Sequence, residues 1–344
     1  MQHLVALLED SSELTHAQVE EAVAALTSDG IPDDSKASFL SALRTKGETA
    51  AEIAAFAQAL LARAIDPGID PAQQSGPVLD VCGTGGDKMD LFNVSTTSMF
   101  VLAAGGAVVV KHGNRAITSQ CGGADVLEAL GIRIDLPPEA LRESVKRNGL
   151  GFVFAPAYHP AFKAIVPVRK LLASKGIPTI FNLLGPLLNP ARPDYQLVGI
   201  FSRELLPKYA ATLAALGRRS AWVVHCEGID EIATTGPSEV HSVSGDGVSE
   251  RIFSPEELGF SRATLEDLRG GGREENAAIL LGILDGSIRG PKRDVVELNA
   301  AAGFVVSGLA PDLPAGIALA REQIESGRAL AKLHALQQFR PAGA

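Results

Sequence analysis

The sequence predicts an all-α domain followed by an α/β domain whose mostly parallel sheet is flanked by helices. Three observations carry this reading. Residues 1–66 hold only helical patterns, and the chain from 76 to 344 alternates short apolar strands with helical stretches. The proline- and glycine-marked segment "DPGIDPAQQSGP" divides the two. In the first part, "THAQVEEAVAALTSDG" opens with a capping box, Thr15 and Gln18, and stops at Gly30. "SKASFLSALRTKG" is a second helix ending at Gly47, and "TAAEIAAFAQALLARA" is a third, with Thr49 and Glu52 as its capping box. Three helices with short connections make a small helical domain. In the second part, "PVLDVC", "AVVV", "GFVFAP", "QLVGIF" and "AWVVHC" read as strands. "STTSMFVLAAGG", "ADVLEALG", "DVVELNAAAGFVV" and "GIALAREQIESGRALAKL" read as helices.

Composition narrows the class. A 344-residue chain with 46% hydrophobic and 21% charged residues is an ordinary globular protein with a substantial core. Its formal net charge of -9 argues against a broad nucleic-acid footprint while leaving room for a local basic pocket. The three cysteines, Cys82, Cys121 and Cys226, form no CxxC pair, which fits a reducing cytoplasm and offers neither a disulfide framework nor a zinc site. The start, "MQHLVALLEDSSEL", carries acids early and does not read as a signal peptide, and no apolar run is long enough to span a bilayer. The expectation is a cytoplasmic enzyme or binding protein.

Loops that follow parallel strands gather at one edge of a sheet, where such folds bind ligands. Three loops qualify. "CGTGGDKMDLFNVSTT" is neither the dinucleotide fingerprint nor the P-loop, yet its glycines let backbone N–H groups approach an anion, and Asn93, Ser95 and Thr96 stand at a helix start. A plain tight turn would use the same glycines. "KHGNRAITS" supplies Lys111, His112, Asn114, Arg115, Thr118 and Ser119, a donor set suited to phosphate or diphosphate, or a basic turn paired with nearby acids. "EGIDEIATTG" offers Asp230 and Glu231, which beside a diphosphate would serve Mg²⁺ and otherwise are a solvated acidic pair. Between these loops, Arg169 could meet a substrate carboxylate or a protein acid, and His159 could equally be a satisfied packing residue.

These motifs resemble a known family. "GTGGD", "NVST", "KHGNR", "GGADVLEALG", "FAPAYHPAFK", "TIFNLLGPLLNPARP" and "GIDE" occur in the order and near the spacing of anthranilate phosphoribosyltransferases, and "ALRTKGET" is similar to that family's helical domain. The resemblance covers essentially the whole chain. It implies a fold like the nucleoside phosphorylases and phosphoribosyltransferases, with the helical domain joined by a segment near 165–190, and a homodimer formed through the helical part. It implies transfer of phosphoribosyl from 5-phosphoribosyl 1-diphosphate to anthranilate, with Mg²⁺ as cofactor, in tryptophan biosynthesis. By motif, Gly83, Gly86, Asp87, Asn93, Ser95, Thr96, Lys111 and Ser119 would hold the phosphoribosyl diphosphate. Ser95, Asp230 and Glu231 would bind Mg²⁺. Gly83, Asn114 and Arg169 would meet anthranilate, with His112 and His159 lining its approach.

No nucleophilic side chain is needed when diphosphate leaves an anomeric carbon, and no general base is assigned, since an aromatic amine attacks unprotonated. Lys88 and Leu91 depart from the family pattern, as does a longer stretch between Arg169 and Thr179, so substrate choice is less fixed than the diphosphate site. The alternatives are a phosphoribosyltransferase for another aromatic amine, one of the commoner class with an acidic pair on the ribose, a pyrimidine nucleoside phosphorylase, and a non-catalytic nucleic-acid-binding relative. The negative charge and the intact acidic pair speak against the last.

Overall fold

The computed structural model describes residues 1–86, 89–116 and 120–341. Four helices form the amino-terminal layer: α1 (Gln2–Glu9), α2 (His16–Leu26), α3 (Asp33–Lys46) and α4 (Ala50–Leu61). Both expected capping boxes are present, at Thr15 with Gln18 and at Thr49 with Glu52. Each satisfies two amides that would otherwise face water alone, an effect of about 1 kcal/mol per cap. Gly47, at φ 85, ends α3 where a side chain would be strained. The sequence reading missed α1, a short helix of 8 residues with no side-chain cap to mark its start.

A seven-stranded sheet follows, with β1 (Val78–Gly83), β2 (Val108–Gly113), β3 (Leu150–Phe154), β4 (Tyr195–Gly199), β5 (Ser220–His225), β6 (Ser238–Ser244) and β7 (Gly247–Phe253) in the order β3-β2-β1-β4-β5-β6-β7. The first five pair in parallel, and β6 and β7 add antiparallel. The sequence reading found the five buried strands and missed the β6–β7 hairpin. Nearly all of β7 is exposed, so it lacks the continuous apolar run that marks a strand covered on both faces.

The helices between and after the strands are α5 (Val94–Ala104), α6 (Gly123–Ala129), α7 (Pro138–Asn148), α8 (Ala155–Tyr158), α9 (Val166–Ser174), α10 (Phe181–Leu184), α11 (Leu206–Ala215), α12 (Arg273–Leu284), α13 (Pro291–Val306), α14 (Leu313–Glu325) and α15 (Arg328–Gln338). The last long helical stretch is thus two helices, broken at Gly327 with φ 73.

Alternate strand residues enter different cores. Leu79, Val81 and Val109 pack with α5, α12 and α13 on one face, while Val78, Val108 and Val110 pack with α7 on the other. A further cluster joins α1–α4 to Ile165, Val168, Leu172 and Phe181, and to the inner residues of β4 and β5. Lys36 of α3, itself buried, donates to the Ala164 carbonyl at 3.1 Å and ties the same layers together.

Candidate active site

The strand order reverses between β1 and β4, and the crevice at their carboxyl ends is where open α/β sheets bind ligands. Gly83 and Gly199 end these strands as register partners. Both are glycine because Asp230 lies against them. A Cβ on Gly199 would stand 1.4 Å from the Asp230 carbonyl oxygen, and one on Gly83 would stand 2.2 Å from its Oδ2. That Oδ2 accepts the Gly85 N–H at 2.7 Å, so the acidic loop after β5 reaches across β4 to the glycine loop after β1. Gly85 and Gly86 adopt φ of 65° and 82°, with open space where a Cβ would project. Two of the three expected loops therefore meet directly.

The turn that delivers Asp230 is a two-residue hairpin. Cys226 and Ile229 exchange both backbone hydrogen bonds, at 3.1 and 2.8 Å, and Glu227 and Gly228 between them have φ of 47° and 92°. Beyond the acids, the buried Asn299 of α13 holds Ile232, accepting its N–H at 3.2 Å and donating to its carbonyl at 2.7 Å.

The third loop follows β2, whose last residues divide the site. Lys111 shares a face with Val109 and points toward α5, donating to the Val81 carbonyl and, at 3.2 Å, to Ser95 Oγ. Ser95 and Thr96 occupy the first turn of α5, where unpaired N–H groups favour an anion. Asn93 precedes that helix but does not cap it. Its amide accepts from Asn276 Nδ2 at 3.0 Å and donates to the Cys121 carbonyl at 3.1 Å, so it braces the first loop to the second. Asp125 pinches the second loop shut, accepting the Ala116 and Gly122 N–H groups at 2.8 Å each. Asp87, Lys88, Thr118 and Ser119 lie outside the described residues.

His112 points to the opposite face. Its N–H is accepted by Asp80 at 3.1 Å, and its Nδ1 donates to the Gly185 carbonyl at 3.1 Å. Its buried Nε2 has no hydrogen-bond partner among the described residues. Burial, with His159 alongside, pushes the ring's pKa down to about 3, so at neutral pH that Nε2 is a lone-pair acceptor. His159 meets His112 edge-on at 5.4 Å and stacks on Phe162 at 5.2 Å, while Phe162 meets Phe181 edge-on at 5.7 Å. Arg169 lies over Phe181 at 5.6 Å, and burial lowers its pKa. Among the described residues it has no carboxylate partner, whereas Arg115 is spent on Glu128 at 2.8 Å. His159 also donates through Nε2 to the Leu188 carbonyl at 2.8 Å, so it is a satisfied ring that still lines this aromatic row. Asn114 is exposed, and its side chain accepts the Arg115 N–H at 2.8 Å.

Sequence reasoning missed the polar floor of the site. Asp80 is fully buried, its carboxyl pushed up by that burial and held back by Lys111 and Asn189. Gln196 of β4 receives the Arg218 Nε at 3.0 Å and itself donates to the Pro186 carbonyl at 2.5 Å. A buried Asp inside an apolar strand was the available signal, since such a group must have partners. Leu91, one of the unusual positions, packs against the core and bridges to Arg269, so here it serves the loop's own structure. A cavity of about 610 Å³ opens at the opposite edge, where β1 and β4 begin, beside Asp70, Asp194 and Arg219. It has neither the glycine loop nor the acidic turn, and the chemistry points to the carboxyl edge instead.

Hard oxygen donors, two adjacent carboxylates and a hydroxyl, suit Mg²⁺. Among the described residues no three His, Cys, Asp or Glu side chains converge as a metal cage. A cation here would therefore complete its shell with ligand phosphate oxygens and water, the usual habit of Mg²⁺.

Residues 75–330 match the glycosyl transferase family, a/b domain, and residues 2–64 match that family's helical bundle domain. The anthranilate phosphoribosyltransferase of Natronomonas pharaonis is 43% identical over 99% of this chain and 100% of that one. The crystal structure of the Thermus thermophilus enzyme of that name superposes with a TM-score of 0.88 at 42% identity, covering 97% of this chain and 98% of its own. That of Saccharomyces cerevisiae, in complex with PRPP and Mg, gives 0.83 at 27% identity over 97% of this chain and 96% of its own. The chain belongs to the anthranilate phosphoribosyltransferase family.

Proposed function

We propose that this chain transfers the phosphoribosyl group of 5-phosphoribosyl 1-diphosphate to the amino nitrogen of anthranilate, releasing diphosphate, as a step of tryptophan biosynthesis. The observation that carries the reading is the meeting of the acidic turn with the glycine loop, Asp230 on the Gly85 N–H, at the β1–β4 switch point. Gly83, Gly86, Ser95, Thr96 and Lys111 provide N–H, hydroxyl and ammonium donors for the phosphates, with Asp87 and Ser119 assigned to the same role by motif and Asn93 bracing the two loops. Asp230, Glu231 and Ser95 would hold Mg²⁺, which when bound neutralises charge on the departing diphosphate.

Across the crevice, Arg169 would pair with the anthranilate carboxylate, and His112, His159 and the phenylalanines would bracket its ring, with Asn114 and Gly83 at the near end. Departure of diphosphate leaves positive character on the anomeric carbon. The residues' work is then to hold the amine in line and stabilise the leaving charge, with no covalent intermediate on the protein. We further read the chain as a cytoplasmic homodimer formed through its helical layer. No helix among the described residues is long and apolar enough to cross a membrane.

The test is loss of anthranilate fluorescence when anthranilate, phosphoribosyl diphosphate and Mg²⁺ are supplied together, and none when any one is left out. Turnover of a different aromatic amine but not anthranilate would keep the class and reject the substrate. Phosphorolysis of a pyrimidine nucleoside would reject both.

A further inference from the structure

We propose that His225 is a positioning residue for cation capture: its imidazole locks the turn that presents Asp230 and Glu231 to the crevice. The inference rests on reading that acidic pair as the Mg²⁺ holder. His225 ends β5 and is buried. Its Nδ1 lies 2.7 Å from the Ile200 carbonyl, and its Nε2 lies 3.1 Å from the Gly228 amide. A carbonyl only accepts and an amide only donates, so the ring carries its proton on Nδ1 and leaves Nε2 as the acceptor.

One ring thus spans the exit of β4 and the tip of the hairpin. Ile200 directly follows Gly199, the glycine whose missing side chain makes room for Asp230. The Gly228 amide belongs to a turn whose other central residue, Glu227, sits at φ 47°, a conformation that residues other than glycine seldom adopt. The local sequence therefore does not favour this turn at Glu227. The His225 bond supplies a specific reason for it to close, and the buried Ile229 and Ile232 fix its far side. Asn299 restrains the chain after the acids and His225 restrains it before them, so the pair is held at both ends.

The two nitrogens can be separated by substitution. His225→Asn keeps a donor near the Nδ1 position and removes the acceptor for Gly228, and His225→Gln places an acceptor near the Nε2 position. The readout is Mn²⁺ binding followed by electron paramagnetic resonance, with phosphoribosyl diphosphate present and anthranilate absent, on variants whose thermal unfolding remains cooperative. His225→Asn is expected to weaken Mn²⁺ capture by at least tenfold, while His225→Gln stays within about threefold of the unaltered chain. Adding Glu227→Gly to His225→Asn is expected to recover part of the loss, since glycine accepts the left-handed turn unaided. Normal Mn²⁺ binding by folded His225→Asn would overturn the proposal, as would equal weakening in the Asn and Gln variants, which would mean the ring only packs. Glu231→Gln separates the two levels. If it binds Mn²⁺ normally, the reading of the acidic pair fails. If it loses Mn²⁺ while His225→Asn does not, the role of His225 alone fails.

Discussion

At Gly83 and Gly199, on the glycine side of the crevice, the fold leaves no room for one methyl group, whereas on the aromatic side it leaves Arg169 without a carboxylate partner among the described residues. The first wall is made of backbone. Gly83 and Gly199 meet Asp230 at distances that only a missing side chain allows, and Gly85 donates its N–H to the same carboxylate. The second is made of side chains in a row, His112, His159, Phe162 and Phe181, with a guanidinium at its end. Consecutive residues of β2 serve one wall each, Lys111 toward Ser95 and His112 toward Gly185, because a strand turns alternate residues to opposite faces. On the proposed function, the wall of backbone donors would read charge, and at Gly83 and Gly199 it has no room for an added atom. On the same reading, the wall of rings would read shape and answer to graded change.

The sharpest way to break the first wall is Gly199→Ala. With its Cβ 1.4 Å from the Asp230 carbonyl oxygen, the acidic turn must move. Such overpacking costs about 1–3 kcal/mol of stability. The larger effect is on activity, a fall of roughly 10²–10³ in kcat/KM for phosphoribosyl diphosphate as the leaving charge loses its partner groups. Thermal unfolding and steady-state kinetics on the same preparation read both.

The second wall is tested by Arg169→Ala. Removing a charge-assisted hydrogen bond costs about 1.5–3 kcal/mol, so the KM for anthranilate should rise on the order of 10- to 100-fold. The KM for phosphoribosyl diphosphate should stay within twofold. If only the latter moves, Arg169 belongs to the other wall.

A third effect, read as a slope in stability, is the pH dependence carried by His112. Its unfolded pKa is near 6.5, and burial holds the folded value at about 3. Between these values the unfolded chain binds the extra proton, so this contribution to stability is present above pH 6.5 and drains away as the pH falls toward 3. The difference in unfolding free energy between the unaltered chain and His112→Gln should therefore shrink on acidification, by up to about 1.4 kcal/mol per pH unit. A difference independent of pH over that range would mean the ring titrates normally in the folded state.

What the sequence made legible follows from range. Thr15 with Gln18 and Thr49 with Glu52 act over three residues, and both helix starts were readable. The five inner strands announced themselves as apolar runs, and the order of the three loops fixed which strand ends to watch. The hairpin of β6 and β7 did not, because its outer strand is polar and exposed, and only the "SGDG" turn marked it. Asp80 stood out only as an Asp inside an apolar strand, and Asn276 and His225 gave no signal as working parts, since each acts on a partner brought near only by the folded sheet: Asp80 on His112, Asn276 on Asn93, His225 on Ile200. Conversely, Arg115 looked like a ligand group in sequence and proves to be paired at the surface with Glu128.

The division into two walls is tested most directly by measuring the KM of both substrates in Asp230→Asn and in Arg169→Ala at saturating Mg²⁺. The account predicts a crossed result, with Asp230→Asn raising the KM for phosphoribosyl diphosphate alone and Arg169→Ala raising that for anthranilate alone. Both variants raising the KM of the same substrate would contradict it.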